Sequence, residues 1–182
     1  MAAKTNGRIR QDMKTEIKKS LGRRVAENVR IMVIGSMPGE ESLRRQQYYA
    51  HPRNNFWKFI AQSFAEINEN TAYEERIALL LKQGVGLWDV MRSCRRNGSL
   101  DSNIKDVVAN DFSVLSKETP QLRKLLFNGN KAYEAFMKSP NRAWAEQHNI
   151  ELVLMPSTSP ANASQSFDWK LDTWRRQLQG QL

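Results

Sequence analysis

RIMVIGSMPGEESLRRQQYYAHPRNNFW, residues 30–57, opens as a short apolar run and breaks at Gly35 into a segment dense in Gly, Pro, Ser, Asn and aromatics. Arg30–Gly35 reads as a β-strand closed by a glycine turn signal. The pattern recurs near the other end of the chain. Glu151–Met155, ELVLM, is strand-like, and LMPSTSPANA, Leu154–Ala163, follows it. A plain turn needs neither loop's composition. Ligands of open α/β sheets bind beyond the carboxyl ends of the strands, so two such loops predict the two lips of one site.

Working outward, Val85–Val90 and Arg123–Phe127 read as two more strands. Asn54–Glu66 reads as a helix with Phe56, Phe59, Ile60 and Phe64 inward, and Ala72–Gln83 as another closed by Gly84. Lys131–Lys138 is helical, and Phe167, Leu171, Trp174 and Leu178 form the stripe of a C-terminal helix. A polar loop with an Asn97–Gly98 turn follows the second strand. Strands separated by helices give an α/β fold, a mainly parallel sheet covered by helices on both faces. Its strands end at Gly35-Ser36, Trp88-Asp89, Asn128-Gly129 and Pro156-Ser157, which a parallel sheet brings to one edge.

Residues 8–25 carry Ile9, Met13, Ile17, Leu21 and Val25 every four residues, which predicts an amphipathic helix with basic residues on its other face. Residues 1–29 are therefore read as a basic extension ahead of a domain over 30–182. The helix either docks on that domain or contacts phosphates.

The 182 residues suit one domain with a real core. No apolar run approaches the roughly 18 residues of a membrane span, and the N-terminus has no apolar segment of a secretory signal. Cys94 is the lone cysteine. That excludes an intrachain disulfide, a Cys-rich zinc site and a thiolate-held iron–sulfur cluster; a small buried hydrophobe is its expected role. A cytoplasmic or nuclear location is expected, nucleoid-associated in a bacterium. The net charge is +9, from 28 Lys/Arg and 19 Asp/Glu. A polyanionic partner suits it.

The loops carry the chemistry. Gly35 and Gly39 of GSMPG permit a sharp turn and close approach to a ligand, and the exposed amides can bind an anion or a carbonyl oxygen. The motif is neither GxxxxGK[ST] nor GxGxxG. Tyr48 and Tyr49 can stack on a flat ring. Asn54 and Asn55 can cap the next helix; an asparagine can equally position a water. His51 is a possible general base set in a turn before Pro52. The hydroxyls of PSTSP can hold a phosphate. Acyl transfer is disfavoured, because only His51 and His148 exist and no GxSxG elbow is present. The acidic residues show no metal-binding pattern, so neither a metal nor another cofactor is expected.

Six segments in order, GSMPGEESL, YYAHPRNNFW, GVGLWDV, SLDSNIKD with NDF, LFNGNKAY and LMPSTSPANA, resemble the uracil-DNA glycosylase superfamily, and most nearly its hypoxanthine-DNA (deoxyinosine) glycosylase branch. The resemblance spans about residues 30–178. It implies a three-layer α/β/α domain with a short, mainly parallel central sheet. It also implies a monofunctional hydrolysis that releases a flipped, deaminated base from DNA. Met37 stands where many members carry the Asp or Asn that handles the attacking water. Met155 stands where some carry a histidine that stabilises departing uracil. The hypoxanthine branch lacks both, which leaves Asn54 to position water. By the same resemblance Tyr49 stacks on the base, and Asp89 reads it where uracil-specific members use an amide. Ser36, Met37, Trp88 and Asn128 line the pocket, and Ser157, Thr158, Ser159 and Asn162 contact DNA. Ser159 occupies the place of an apolar wedge. The expected partner is DNA containing a deaminated base, with no membrane and no metal, and a monomer is the expected state. The competing readings are the same fold acting on uracil, xanthine or a mismatched base, and a noncatalytic DNA-binding module.

Overall fold

The computed structural model describes residues 17–180. Its central sheet has four parallel strands, β2 (Ile31–Gly35), β3 (Val85–Asp89), β6 (Lys124–Asn128) and β7 (Glu151–Met155), in the order β3-β2-β6-β7. β2 is central and wholly buried, which explains why IMVIG is a continuous apolar run rather than an alternating one. Its side chains still alternate between faces. Ile31 and Val33 join one core with α2 (Phe56–Ser63), α3 (Tyr73–Lys82) and α7 (Phe167–Gln179). Met32 and Ile34 join the other with α4 (Leu115–Glu118), α5 (Asn130–Met137) and α6 (Asn141–Gln147). These are the expected three layers. Cys94 is buried in the second core.

A second sheet is antiparallel: β1 (Ile17–Lys19), β4 (Met91–Arg95) and β5 (Lys105–Ala109), in the order β1-β4-β5. It overturns the helix expected over residues 8–25 as far as that stretch is described. Ile17–Lys19 is a strand, and Leu21–Val25 runs without helix to a single bridge between Arg24 and Leu87; residues 8–16 lie outside the described residues. A four-residue spacing is two strand periods as well as about one helical turn, and β4 offers a backbone edge to pair with. Gly86 allows this close pairing: a Cβ there would lie 2.8 Å from the Arg24 carbonyl oxygen.

The segment read as one polar loop after β3 contains β4 and β5. The lip after β2 also contains α1 (Glu40–Arg45).

Candidate active site

The register pairs Gly35 with Asp89 and Asn128 with Met155, so all four strand ends open on one edge. A cleft of about 920 Å³ lies there, walled by the loops after β2 and β7. The two lips are joined, since the Asn55 N–H donates to the Thr158 carbonyl at 3.0 Å.

The first lip is held from beneath by an arginine. Arg96, 1 % exposed, donates to the carbonyls of Met37 and Pro38. Ser36 donates its hydroxyl to Asp101 Oδ1 at 2.9 Å, tying the same loop to the segment before β5. Ser36 and Met37 line the cleft, while the Met37 side chain packs in the core beside Ile34 and Trp88.

Tyr48 and Tyr49 diverge. Both reach the cleft lining, but Tyr48 is buried, whereas Tyr49 is partly exposed with its backbone in the left-handed region at φ 57°. A bulky residue rarely adopts that conformation, and such outliers concentrate at functional sites. Its ring stacks on Phe56 with centroids 4.0 Å apart. Its hydroxyl is buried without a hydrogen-bond partner among the described residues, and burial pushes its pKa well up, so it stays a neutral donor.

Asn54 opens α2. Its Oδ1 accepts the Phe56 N–H at 2.9 Å, so the capping role foreseen for this pair falls to Asn54. An amide oxygen has a second lone pair, and Asn54 lines the cleft, so capping and handling a water are compatible. His51 is exposed, and its Nδ1 accepts the Arg53 N–H within the turn.

Asp89 lies at the floor, 2 % exposed. Burial pushes its carboxyl up from 3.8 to about 7, against the hydrogen bond from Ser20. Gly35 leaves it room, because a Cβ there would lie 2.4 Å from Asp89 Oδ1 and the carboxyl would have to shift. Trp88, expected in the pocket, is not among the cleft's lining residues. Alternation along β3 turns it to the opposite face, where it stacks on Phe112 at 4.8 Å.

In the second lip, Asn128 Nδ2 donates to Thr158 Oγ1 at 2.8 Å and its Oδ1 accepts the Thr158 N–H at 2.9 Å. Thr158 is fully buried. It anchors the lip rather than presenting a hydroxyl to a phosphate, and Asn128 spends both amide groups on that anchor. Ser157 Oγ accepts the Ser159 N–H, and Ser159 Oγ the Ala161 N–H. Among the described residues neither hydroxyl hydrogen has an acceptor, so both remain available as donors. Asn162 lines the cleft, and its Oδ1 accepts from Ser164. Lys170, 3 % exposed, donates to the carbonyls of Ser157 and Asn162 at 3.2 and 2.5 Å, and burial lowers its pKa.

Ser20, Arg96 and Lys170 went unread in the sequence. Lys170 had a signal: it follows Phe167 by three residues and precedes Trp174 by four, so helical spacing puts it on the buried face of α7. Among the described residues no group of three or more His, Cys, Asp or Glu is placed to hold a metal ion, and no helix is long and apolar enough to cross a membrane.

The family model of the uracil DNA glycosylase superfamily matches residues 23–179. The chain is 40% identical over 138 residues to a hypoxanthine DNA glycosylase of Methanosarcina acetivorans, covering 75% of this chain and 82% of that protein. It is 38% identical over 117 residues to a hypoxanthine DNA glycosylase of Methanosarcina barkeri, covering 63% and 74%. The solution NMR structure of a candidate uracil DNA glycosylase from Methanosarcina acetivorans aligns with a TM-score of 0.78 and 35% identity, over 91% of this chain and 98% of that one. This chain belongs to the uracil DNA glycosylase superfamily.

Proposed function

We propose that the chain is a monofunctional DNA glycosylase that hydrolyses the N-glycosidic bond of deoxyinosine, releasing hypoxanthine from DNA. The observation that carries this reading is the identity to the two Methanosarcina hypoxanthine DNA glycosylases over most of their length. The cleft supports it. Its volume falls in the range of small-molecule sites and suits a nucleotide turned out of the duplex.

In this reading Asn54 orients the attacking water, supplying proximity more than basicity. Water adds to C1′ as the C1′–N9 bond breaks, and the bonding pair leaves with the purine. The proton lost by the water is balanced by one gained by the base. Phe56 backs the ring of Tyr49, which stacks on the base, and Asp89 meets its edge. The free hydroxyls of Ser157 and Ser159 donate to flanking phosphates. One chain supplies both lips, so a monomer suffices.

The test is single-turnover cleavage of duplexes carrying one inosine, uracil or xanthine, with alkali to reveal abasic sites, for the parent and Asn54→Ala. Inosine cleavage that collapses in the variant supports both the reaction and the residue. Uracil cleavage without inosine cleavage sinks the hypoxanthine assignment. Salt-sensitive DNA binding without cleavage of any lesion sinks the enzyme.

A further inference from the structure

The two oxygens of Asp89 have different surroundings. Oδ2 accepts the Ser20 hydroxyl at 2.6 Å. Oδ1 stands against Gly35 at the cleft floor. Ser20 is fixed in turn, because its N–H donates to the Arg92 carbonyl at 2.9 Å as β1 leaves β4. The carbonyl of Leu21 accepts the Tyr48 hydroxyl at 3.4 Å. The other ionisable groups facing Asp89 are the hydroxyls of Tyr48 and Tyr49, the Arg96 guanidinium and the Asp101 carboxylate. Ser20 lies ahead of the residues that the family model matches. It reaches the pocket because residues 17–25 pair with β4 and bridge to the outer edge of β3.

We propose that Ser20 is a positioning residue of the base pocket: its hydroxyl holds Asp89 Oδ2 and leaves Oδ1 as the oxygen that meets the extracted base. The inference rests on the glycosylase reading of the same cleft. Hypoxanthine carries N1–H, a donor to an ionised Oδ1. Adenine presents a lone pair at that ring position and opposes it. A carboxylate free to rotate could turn either oxygen toward either group; a pinned one offers a single acceptor in one place. Without Ser20, the ionised carboxylate loses a donor and holds its proton to higher pH.

The test combines an NMR titration of the Asp89 carboxyl carbon in the ligand-free protein with single-turnover inosine cleavage from pH 5.5 to 9. It compares the parent with Ser20→Ala, Ser20→Cys and Ser20→Thr, each checked by thermal unfolding. Ser20→Ala is expected to move the Asp89 midpoint and the inflection of the cleavage rate upward together by about one pH unit, as for a lost hydrogen bond to a charged group. Ser20→Thr restores both, and the weak donor in Ser20→Cys falls between. An unmoved Asp89 midpoint overturns the proposal. So does a moved midpoint with an unmoved cleavage inflection, since the base would then not be reading this carboxyl. A parent that cleaves no inosine, uracil or xanthine duplex defeats the glycosylase reading instead, and the NMR titration alone then decides whether Ser20 governs Asp89.

Discussion

Asp89→Asn tests the electrostatics of the cleft floor. In the folded protein the Asp89 carboxyl titrates at about 7, raised from 3.8 by burial. Between those values the folded chain holds a proton that the unfolded chain has released. Unfolding therefore releases a proton there, and stability falls as pH rises. The slope is about 1.4 kcal/mol per pH unit, so between pH 5 and the plateau above 7 the parent loses about 3 kcal/mol from this one group. For a chain of this length that corresponds to roughly 5–10 °C of Tm. Asparagine keeps an oxygen for the Ser20 hydroxyl and cannot ionise. The variant should therefore gain on the parent steadily from pH 5 to about pH 7 and then level off. Other titrations are common to both proteins and cancel in the difference. Urea unfolding of both proteins at half-unit steps from pH 4.5 to 8.5 reads it directly. A difference that stays constant across that range would refute the reasoning, because Asp89 would then titrate as it does in the unfolded chain.

Asn54→Ala should lower single-turnover cleavage by about 10²-fold or more through loss of water orientation. Losing the Phe56 cap should cost only about 1 kcal/mol and a few degrees of Tm, so a rate close to the parent's would remove Asn54 from the chemistry. Gly35→Ala sets a Cβ against Asp89 Oδ1; it should destabilise by about 1–3 kcal/mol and sharply reduce cleavage, and a fully active, stable variant would contradict the close approach. Arg96→Met leaves the carbonyls of Met37 and Pro38 buried without their donor, at a cost of about 2–4 kcal/mol, readable as a lower urea midpoint.

The layered sheet was legible because its strands obey simple rules. IMVIG and ELVLM are short apolar runs that stop at loop-forming residues, and helical stretches separate them. Parallel order then follows, and with it the shared edge where both lips meet. The antiparallel sheet was not legible. MRSCR and KDVVA mix charges with apolar residues, and in β5 the four residues from Lys105 to Val108 are exposed, so no buried face stamps a period on the sequence. Ile17, Leu21 and Val25 fit two periods at once, and tertiary pairing with β4 decided between them. In the cleft, residue type and the family resemblance pointed to Asn54, Tyr49 and Asp89 but not to the orientation of each side chain. Trp88 turned away by strand alternation, and Thr158 was drawn inward by Asn128. Arg96 was hidden because its partners are backbone carbonyls, which no sequence motif advertises.

Two of the buried cations explain how lips so rich in small and polar residues hold their shape. Arg96 grips Met37 and Pro38 in one lip, and Lys170 grips Ser157 and Asn162 in the other. Each satisfies carbonyls that a buried loop would otherwise leave unpaired, and neither needs a side chain of the lip. The hydroxyl hydrogens of Ser157 and Ser159, which have no acceptor among the described residues, are thereby left for a ligand. Met37 and Met155, each at most 5 % exposed, add packing and no charge. The floor then holds one buried carboxyl that changes state near neutral pH. In the proposed reaction, an ionised Asp89 Oδ1 would accept from a ring N–H, and a protonated one would donate to a ring nitrogen or carbonyl and so ease departure of the base. Under the proposal that Asn54 brings water without acting as a base, the pH dependence of inosine cleavage should follow Asp89 alone: an inflection near pH 7 in the parent, and none in Asp89→Asn. An inflection that survives that substitution would assign the proton to another group.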